Sequence, residues 1–162
     1  MADGETRTVG PLGWGVKQSF RSYVEGSGGT IEADGGATRG ADGEFSFEPA
    51  PGEALSVGAD GKPHGIARFT GEVRCEAHGG MLKMFLADPA IEIGPAGAAL
   101  TAADSPARDR RCELAVLDLA AATTGEAGEL VIPSKLSKDG WRIMPDHYLP
   151  TTPLDPVRLR LR

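Results

Sequence analysis

The apolar residues between Leu12 and Gly26 recur with the period of an α-helix. Leu12, Val16, Phe20 and Tyr23 fall at i, i+4, i+8 and i+11 and form one stripe. A lysine, a glutamine and an arginine lie off this stripe. Gly26 supplies a stop, because glycine readily adopts the left-handed conformation that closes a helix. The pattern predicts one amphipathic helix over residues 12–26. A tyrosine buried on its stripe needs a partner for its hydroxyl group.

Strict alternation of apolar and polar residues replaces the helical period after Gly26. In residues 65–77 one face carries Ala67, Phe69, Val73, Cys75 and Ala77, which predicts a half-buried antiparallel strand. The same alternation returns at residues 45–47, 91–93, 112–116 and 157–161. The 23 glycines and 12 prolines supply the turns between such strands, although disorder is an alternative for the glycine-rich residues 26–43.

These elements predict a mainly β fold, either an antiparallel two-layer sandwich or an open barrel, with one N-terminal helix. A short C-terminal helical turn is predicted near residues 133–139, where Pro133 suits a first turn and Gly140 a stop. The length of 162 residues predicts a single domain over 1–162, with a flexible tail over residues 1–9.

Residues 78–82, HGGML, interrupt the alternation. The preceding strand places His78 on its polar side, and two glycines after it indicate a turn, a bulge or a close approach of the backbone to a ligand. The segment that follows, residues 81–89, is apolar on both faces, so both faces should be covered. The core would cover one face, and either a bound molecule or, as residue types alone favour, the N-terminal helix would cover the other.

Composition narrows the classes of partner. A net charge of −6 and a pI near 5.1 argue against nucleic acids and anionic membranes, because neither is attracted to such a chain. Neither a membrane-spanning apolar run nor a secretory signal is apparent, so we expect a cytoplasmic protein as the sequence stands, or a secreted one if a leader was removed. Cys75 and Cys112 show no zinc-site spacing. They are predicted as small buried residues, with a disulfide as the alternative in an exported protein.

Four blocks of the chain together resemble the haem-transport-associated (Htaa-type) domain of actinobacteria. The similarity runs from Gly10 to Leu161, and the blocks are LGWGVKQSFRSYVEG, FTGEVRCEAHGGMLKMFLADPAIEI, LAVLDL and HYLPTTPLDPVRLRL. This resemblance implies a mostly β fold around a small ligand-holding helix. It also implies binding of ferric haem b, with Tyr23 as the iron ligand and His78 as its support.

The chemistry of that pair stands independently of the family. A phenol has a pKa of about 10, so it ligates at neutral pH only when a Lewis acid such as ferric iron displaces its proton. An imidazole beside the oxygen stabilises the anion and fixes the ring. Ser19 and Phe20, one turn before Tyr23, could reach a propionate and the porphyrin, and Met81 could line the pocket. Core packing is the alternative for Phe20 and Met81.

Three functions remain open at this point. The first is a soluble haem carrier or buffer that exchanges haem with a donating or accepting protein. The second is a small enzyme, either haem-dependent or with the pocket reused for an organic substrate, although no catalytic triad or phosphate-binding loop stands out. The third is an assembly domain without a cofactor. His147 and Tyr148 are interpreted as packing at the end of a strand.

Overall fold

The computed structural model of the chain describes residues 5–145 and 148–162. Within them the one α-helix, α1, spans Gln18–Gly26, and short 3-10 helices span His78–Gly80, Leu119–Ala121, Glu126–Gly128 and Gly140–Arg142. The strands are β1 (Glu5–Thr8), β2 (Leu12–Trp14), β3 (Thr30–Asp34), β4 (Ala37–Arg39), β5 (Phe45–Pro49), β6 (Ala54–Val57), β7 (Pro63–Thr70), β8 (Glu72–Ala77), β9 (Leu82–Gly94), β10 (Gly97–Ala103), β11 (Arg111–Leu117), β12 (Thr123–Thr124), β13 (Leu130–Leu136) and β14 (Pro153–Leu159).

The strands form one antiparallel sheet that closes into a barrel-like structure. Its order is β1-β6-β7-β5-β2-β14-β13-β11-β10-β9-β8-β3, with an additional pairing of β7 with β9, while β4 pairs with β5 and β12 with β13. The predicted mainly β class is confirmed, and of the two architectures the barrel is the one observed. None of the helices in the described residues is long and apolar enough to cross a membrane.

Strand β9 joins the barrel wall to the hairpin that carries residues 78–80. Its first half, from Leu82 to Ala87, pairs with β8, and its second half pairs with both β7 and β10. Asp88 marks the change, because it adopts a left-handed φ of 50° and its carboxylate accepts a hydrogen bond from the Gly71 N–H at 3.1 Å. The β8–β9 hairpin therefore extends beyond the part of β9 that pairs with β10.

The core is built from the residues that alternate along these strands. All five apolar residues predicted on one face of residues 65–77 are at most 3% exposed. They lie on two strands instead of one, because Gly71 separates β7 from β8. A Cβ on Gly71 would come within 2.5 Å of the Ala37 backbone nitrogen, so this crossing requires glycine. The glycine-rich residues 26–43, for which disorder was an alternative, contribute β3 and β4.

Three predicted boundaries are wrong. The helix begins at Gln18 and not at Leu12, because Val16 adopts a left-handed φ of 66° that no helix accommodates and β2 pairs with β5 and β14. The short C-terminal helical turn lies at Gly140–Arg142, whereas residues 133–136 complete β13. The flexible tail predicted over residues 1–9 is wrong for Glu5–Thr8, which form β1 and pair with β6. Residues 1–4 lie outside the described residues.

Candidate functional site

Tyr23 and His78 meet at the surface of the molecule. The Tyr23 hydroxyl lies 2.6 Å from His78 Nε2, and the two rings have centroids 5.7 Å apart at an angle of 61°. The helical stripe predicted a buried Tyr23, but the residue is 46% exposed. A short hydrogen bond between an exposed phenol and an imidazole leaves the phenol oxygen accessible to a ligand from outside.

The turn between β8 and β9 presents the imidazole. His78, Gly79 and Gly80 all have positive φ, of 55°, 65° and 92°, and the His78 carbonyl accepts a hydrogen bond from the Met81 N–H at 3.2 Å. A left-handed conformation is uncommon for a residue other than glycine, although histidine tolerates it better than most. Such local strain is typical of functional sites. The predicted turn at the two glycines is present, and His78 lies on its exposed side.

Gly29 sets the distance between α1 and β8. The helix closes with hydrogen bonds from Ser27 N–H to the Tyr23 carbonyl at 3.0 Å and from Gly29 N–H to the Val24 carbonyl at 2.8 Å. The next residue, Thr30, pairs with Glu76, two residues before His78. A Cβ on Gly29 would collide with the Glu76 carbonyl oxygen and lie 2.8 Å from the Val24 carbonyl oxygen. Glycine at this position therefore lets Tyr23 approach the His78 turn.

We expect the substitution Gly29→Ala to destabilise the fold by about 1–3 kcal/mol, the usual cost of forcing atoms into a packed contact. The matched control is Gly26→Ala, because Gly26 is the last helical residue and its added Cβ would meet no atom within 4 Å. Since alanine is the better helix former, that control should stabilise the fold by up to about 1 kcal/mol. Urea unfolding measures both, and equal stabilities of the two variants would contradict this account.

Asp155 of β14 holds the beginning of α1. One carboxylate oxygen accepts a hydrogen bond from the Gln18 N–H at 3.0 Å, and the other pairs with Arg21 Nη1 at 2.6 Å. Arg21 also donates to the Gly15 carbonyl at 2.6 Å, and its side chain is only 8% exposed. Lys17, at the N-cap position, provides no side-chain cap. A carboxylate from a distant strand thus supplies the acceptor and the negative charge that a helix N-terminus favours.

The last turn of α1 is held by a second ion pair. Arg39 of β4 binds Glu25 with two hydrogen bonds of 2.9 Å. The guanidinium group lowers the pKa of the Glu25 carboxyl below its usual value. Both ends of the helix that carries Tyr23 are therefore tied to the sheet.

The remaining predicted site residues lie in different surroundings. Ser19 is exposed on α1, and Met81 is 91% exposed beside the His78 turn. Phe20 is fully buried and meets the ring of Tyr148 edge to face at 6.4 Å, so its side chain belongs to the core. His147 lies outside the described residues.

Helix α1 packs on β3 and β8 and does not cover Met81, which precedes β9, or the face of β9 that carries Phe85. The expectation that both faces of this segment are covered is wrong for Met81. Phe85 is half-buried beneath the Arg74 guanidinium group, whose carbon lies 5.2 Å from the ring centroid.

A cavity of about 420 Å³ lies against the β8–β9 hairpin. We call it the hairpin cavity, and define it by its lining residues Cys75, Met84, Phe85, Ile143, Asp104 and Arg142. The first four supply apolar surface and the last two supply opposite charges. The cavity also reaches three charged residues of the hairpin, Arg74, Glu76 and Lys83. Glu76 lies two residues before His78, and Lys83 lies two residues after Met81. No sequence pattern indicated this cavity, because Asp104 and Arg142 come from segments that are far apart along the chain.

The two cysteines are buried and unpaired, as predicted. Burial raises the pKa of the Cys75 thiol to about 12 and that of the Cys112 thiol to about 11. Both thiols are therefore protonated at neutral pH and poor metal ligands. Over residues 5–145 and 148–162, no group of three or more His, Cys, Asp or Glu side chains is arranged to hold a bare metal ion.

Comparisons with solved structures find the same fold in several domains from one organism. The C-terminal domain of HtaA from Corynebacterium glutamicum matches with a TM-score of 0.70 and 23% identity, over 96% of this chain and 97% of that one. The N-terminal domain of the same protein matches with a TM-score of 0.70 and 21% identity, over 97% and 98%. The haem-binding protein HtaB from the same organism matches with a TM-score of 0.62 and 18% identity, over 98% and 94%.

No curated protein matches the sequence. The family model described as Htaa, in contrast, matches residues 9–160, which is nearly the whole chain. It spans β2, α1, the His78 turn and β14, the elements that carry the surface pair and its supports. The chain therefore belongs to the Htaa family.

Proposed function

We propose that this chain binds ferric haem b through the Tyr23 phenol, and that His78 supports the phenol as its hydrogen-bond partner. The observation that carries the proposal is the 2.6 Å contact between the Tyr23 hydroxyl and His78 Nε2 on an exposed surface. The haem-binding activity in the name of HtaB, a protein of the same fold, supports the same ligand. Tyrosine is an established axial ligand of haem iron.

The two side chains fit the chemistry that such a ligand requires. In the free protein the Tyr23 O–H can donate to His78 Nε2, because a neutral imidazole has one acceptor nitrogen. When the phenol gives up its proton, His78 Nε2 can take it, and the resulting imidazolium donates the hydrogen bond back to the phenolate oxygen. Ferric iron supplies the Lewis acidity that makes this loss favourable at neutral pH. The pair therefore holds the proton in either state without rearrangement of the backbone.

The site is better suited to carrying haem than to electron transfer. An anionic oxygen ligand favours ferric over ferrous iron, so an external one-electron donor that reduced bound haem would weaken its bond to Tyr23. Tyr23 and Met81 are both exposed, which leaves this edge of the molecule open to a haem-donating or haem-accepting protein. We propose a carrier or buffer role on these grounds.

Titration of the purified protein with hemin tests the proposal. We expect a Soret band that saturates at one haem per chain, and resonance Raman bands of an iron-bound tyrosinate. Reduction with dithionite under carbon monoxide should then lower the affinity. Failure to saturate at stoichiometric hemin, or a spectrum without tyrosinate bands, would exclude the proposed site.

The variant His78→Asn separates the support from the ligand. Asparagine also tolerates a left-handed backbone, so the turn should keep its shape while the imidazole is lost. Loss of such a supporting partner typically costs a metal site about 10–100-fold in affinity, and we expect a loss in that range with a shifted charge-transfer band. The control is His64→Asn, which removes an exposed imidazole on β7. Equal hemin affinities of the two variants would contradict the role of His78.

A further inference from the structure

The hairpin cavity lies beside the turn that presents His78 to Tyr23. Its nearest lining residues, Glu76 and Lys83, belong to the same two strands as the His78 turn. At a rise of about 3.4 Å per strand residue, the cavity begins about 7 Å from the His78 backbone. Phe20 of α1 packs edge to face on Tyr148, five residues after Ile143 of the cavity wall, so the segment that lines the cavity also contacts the helix that carries Tyr23.

The charges around the cavity are unequally satisfied. Lys83 lies 3.8 Å from Glu76, and Arg74 lies 2.6 Å from Glu72, so both cations have carboxylate partners. Arg142 is different. Its guanidinium carbon lies 5.0 Å above the exposed Trp141 ring, and within the described part of the chain no carboxylate oxygen comes within 4 Å of it. An unpaired guanidinium group beside the apolar part of this cavity fits a planar carboxylate carried by a ligand that also has apolar surface.

Asp104 limits how many negative groups the cavity accepts. Its side chain is only 3% exposed, and Oδ2 pairs with Arg110 Nε at 3.1 Å. Oδ1 is buried and has no hydrogen-bond partner among the described residues. A second carboxylate beside this oxygen would be repelled, because charge repulsion is strong in a partly buried site. The cavity therefore suits one carboxylate, on the Arg142 side.

From these observations, and resting on the proposed haem function, we infer that Arg142 binds one propionate of haem in the hairpin cavity. This contact fixes the rotation of the macrocycle about its iron and makes the site selective for porphyrins with a free carboxylate. Arg142 is thus a specificity-determining residue, separate from the Tyr23 and His78 pair. The second propionate remains towards solvent, away from Asp104.

The experiment compares hemin with the dimethyl ester of iron protoporphyrin IX, which lacks both charges. Wild-type protein should bind hemin about tenfold more tightly than the ester, because one charge-assisted hydrogen-bonded contact is worth about that factor. The variant Arg142→Gln should lose this preference by weakening hemin alone. The control Arg7→Gln removes the same kind of charge from β1, a strand that pairs only with β6 in the described sheet, and should behave as the wild type.

The possible outcomes separate this inference from the function on which it rests. If Arg142→Gln binds hemin as tightly as the wild type, with the tyrosinate spectrum intact, the inference is wrong and the proposed function stands. If it weakens hemin and ester equally, Arg142 has a structural role and the inference is again wrong. If the wild type binds neither compound, the proposed function itself fails. Quenching of tryptophan fluorescence reports each affinity, and circular dichroism establishes that each variant is folded.

Discussion

The variant Tyr23→Phe should lose at least about 100-fold in hemin affinity and all tyrosinate Raman bands, while its thermal unfolding stays close to that of the wild type. The change removes one oxygen atom, the only protein atom that we propose to bind the iron, so the bond cannot re-form through the same ring. The residue is 46% exposed and its ring keeps its volume, so little packing is lost. The measurements are hemin titration, resonance Raman spectroscopy and a thermal melt.

Tyr148→Phe is the matched control, because Tyr148 is the second of the two tyrosines in the chain. It packs against Phe20, one turn from Tyr23, but its hydroxyl is not part of the proposed ligand set. That variant should keep the tyrosinate bands. If Tyr23→Phe instead binds hemin with an unchanged spectrum, another residue is the ligand and the proposed site is wrong.

The second large effect is on stability. The variant Asp155→Ala should lower the free energy of unfolding by about 3–5 kcal/mol, because it leaves the buried Arg21 guanidinium without its carboxylate partner and removes the acceptor of the first α1 N–H. The backbone hydrogen bonds of this residue, from Trp14 Nε1 and Ser134 Oγ to its carbonyl, are retained in the variant. The loss therefore reports the side chain alone, and urea unfolding measures it.

Two further variants test the cause of that loss. Asp60→Ala removes a carboxylate that accepts only a local turn hydrogen bond from the Lys62 N–H, and should cost less than about 1 kcal/mol. Adding Arg21→Met to Asp155→Ala removes the stranded cation and should recover part of the stability. A double variant less stable than Asp155→Ala would show that Arg21 stabilises the fold by packing and not through the ion pair.

Alternating residues predicted the core of the sheet well. A period of two places successive side chains on opposite faces, so Phe69, Val73 and Cys75 became buried wherever their strands paired. The turn at the two glycines after His78 was also visible, because few other residues accept consecutive positive φ angles. These features depend on local sequence, which is why they could be predicted.

The helix shows where local pattern fails. Leu12 and Val16 match the apolar stripe, yet the first lies in β2 and the second in a left-handed bend before α1. With both removed, Phe20 and Val24 define the buried face and Tyr23 lies at its edge. The pairing of β2 with β5 and β14 overrode the helical periodicity at these two positions.

The supports of the site carry no local signal at all. Asp155 caps a helix that begins 137 positions earlier, and nothing in the surrounding LPTTPLDP segment indicates this. Gly29 reads as one more glycine in a flexible stretch until the Glu76 carbonyl is seen against it. Such contacts follow from the closed topology and not from composition.

The pairing of Thr30 with Glu76 has a consequence for how the protein could tolerate change. It completes a short chain of contacts that runs from Tyr23 through Gly29 into β3, across the strand pairing to β8, and on to His78. The distance between the phenol and the imidazole is thus set by these local contacts and does not depend on fluctuations of β12 and β13 in the opposite part of the barrel. Substitutions in β12 or β13 should change the thermal unfolding temperature of the protein, while the absorption spectrum of its haem-bound form stays the same.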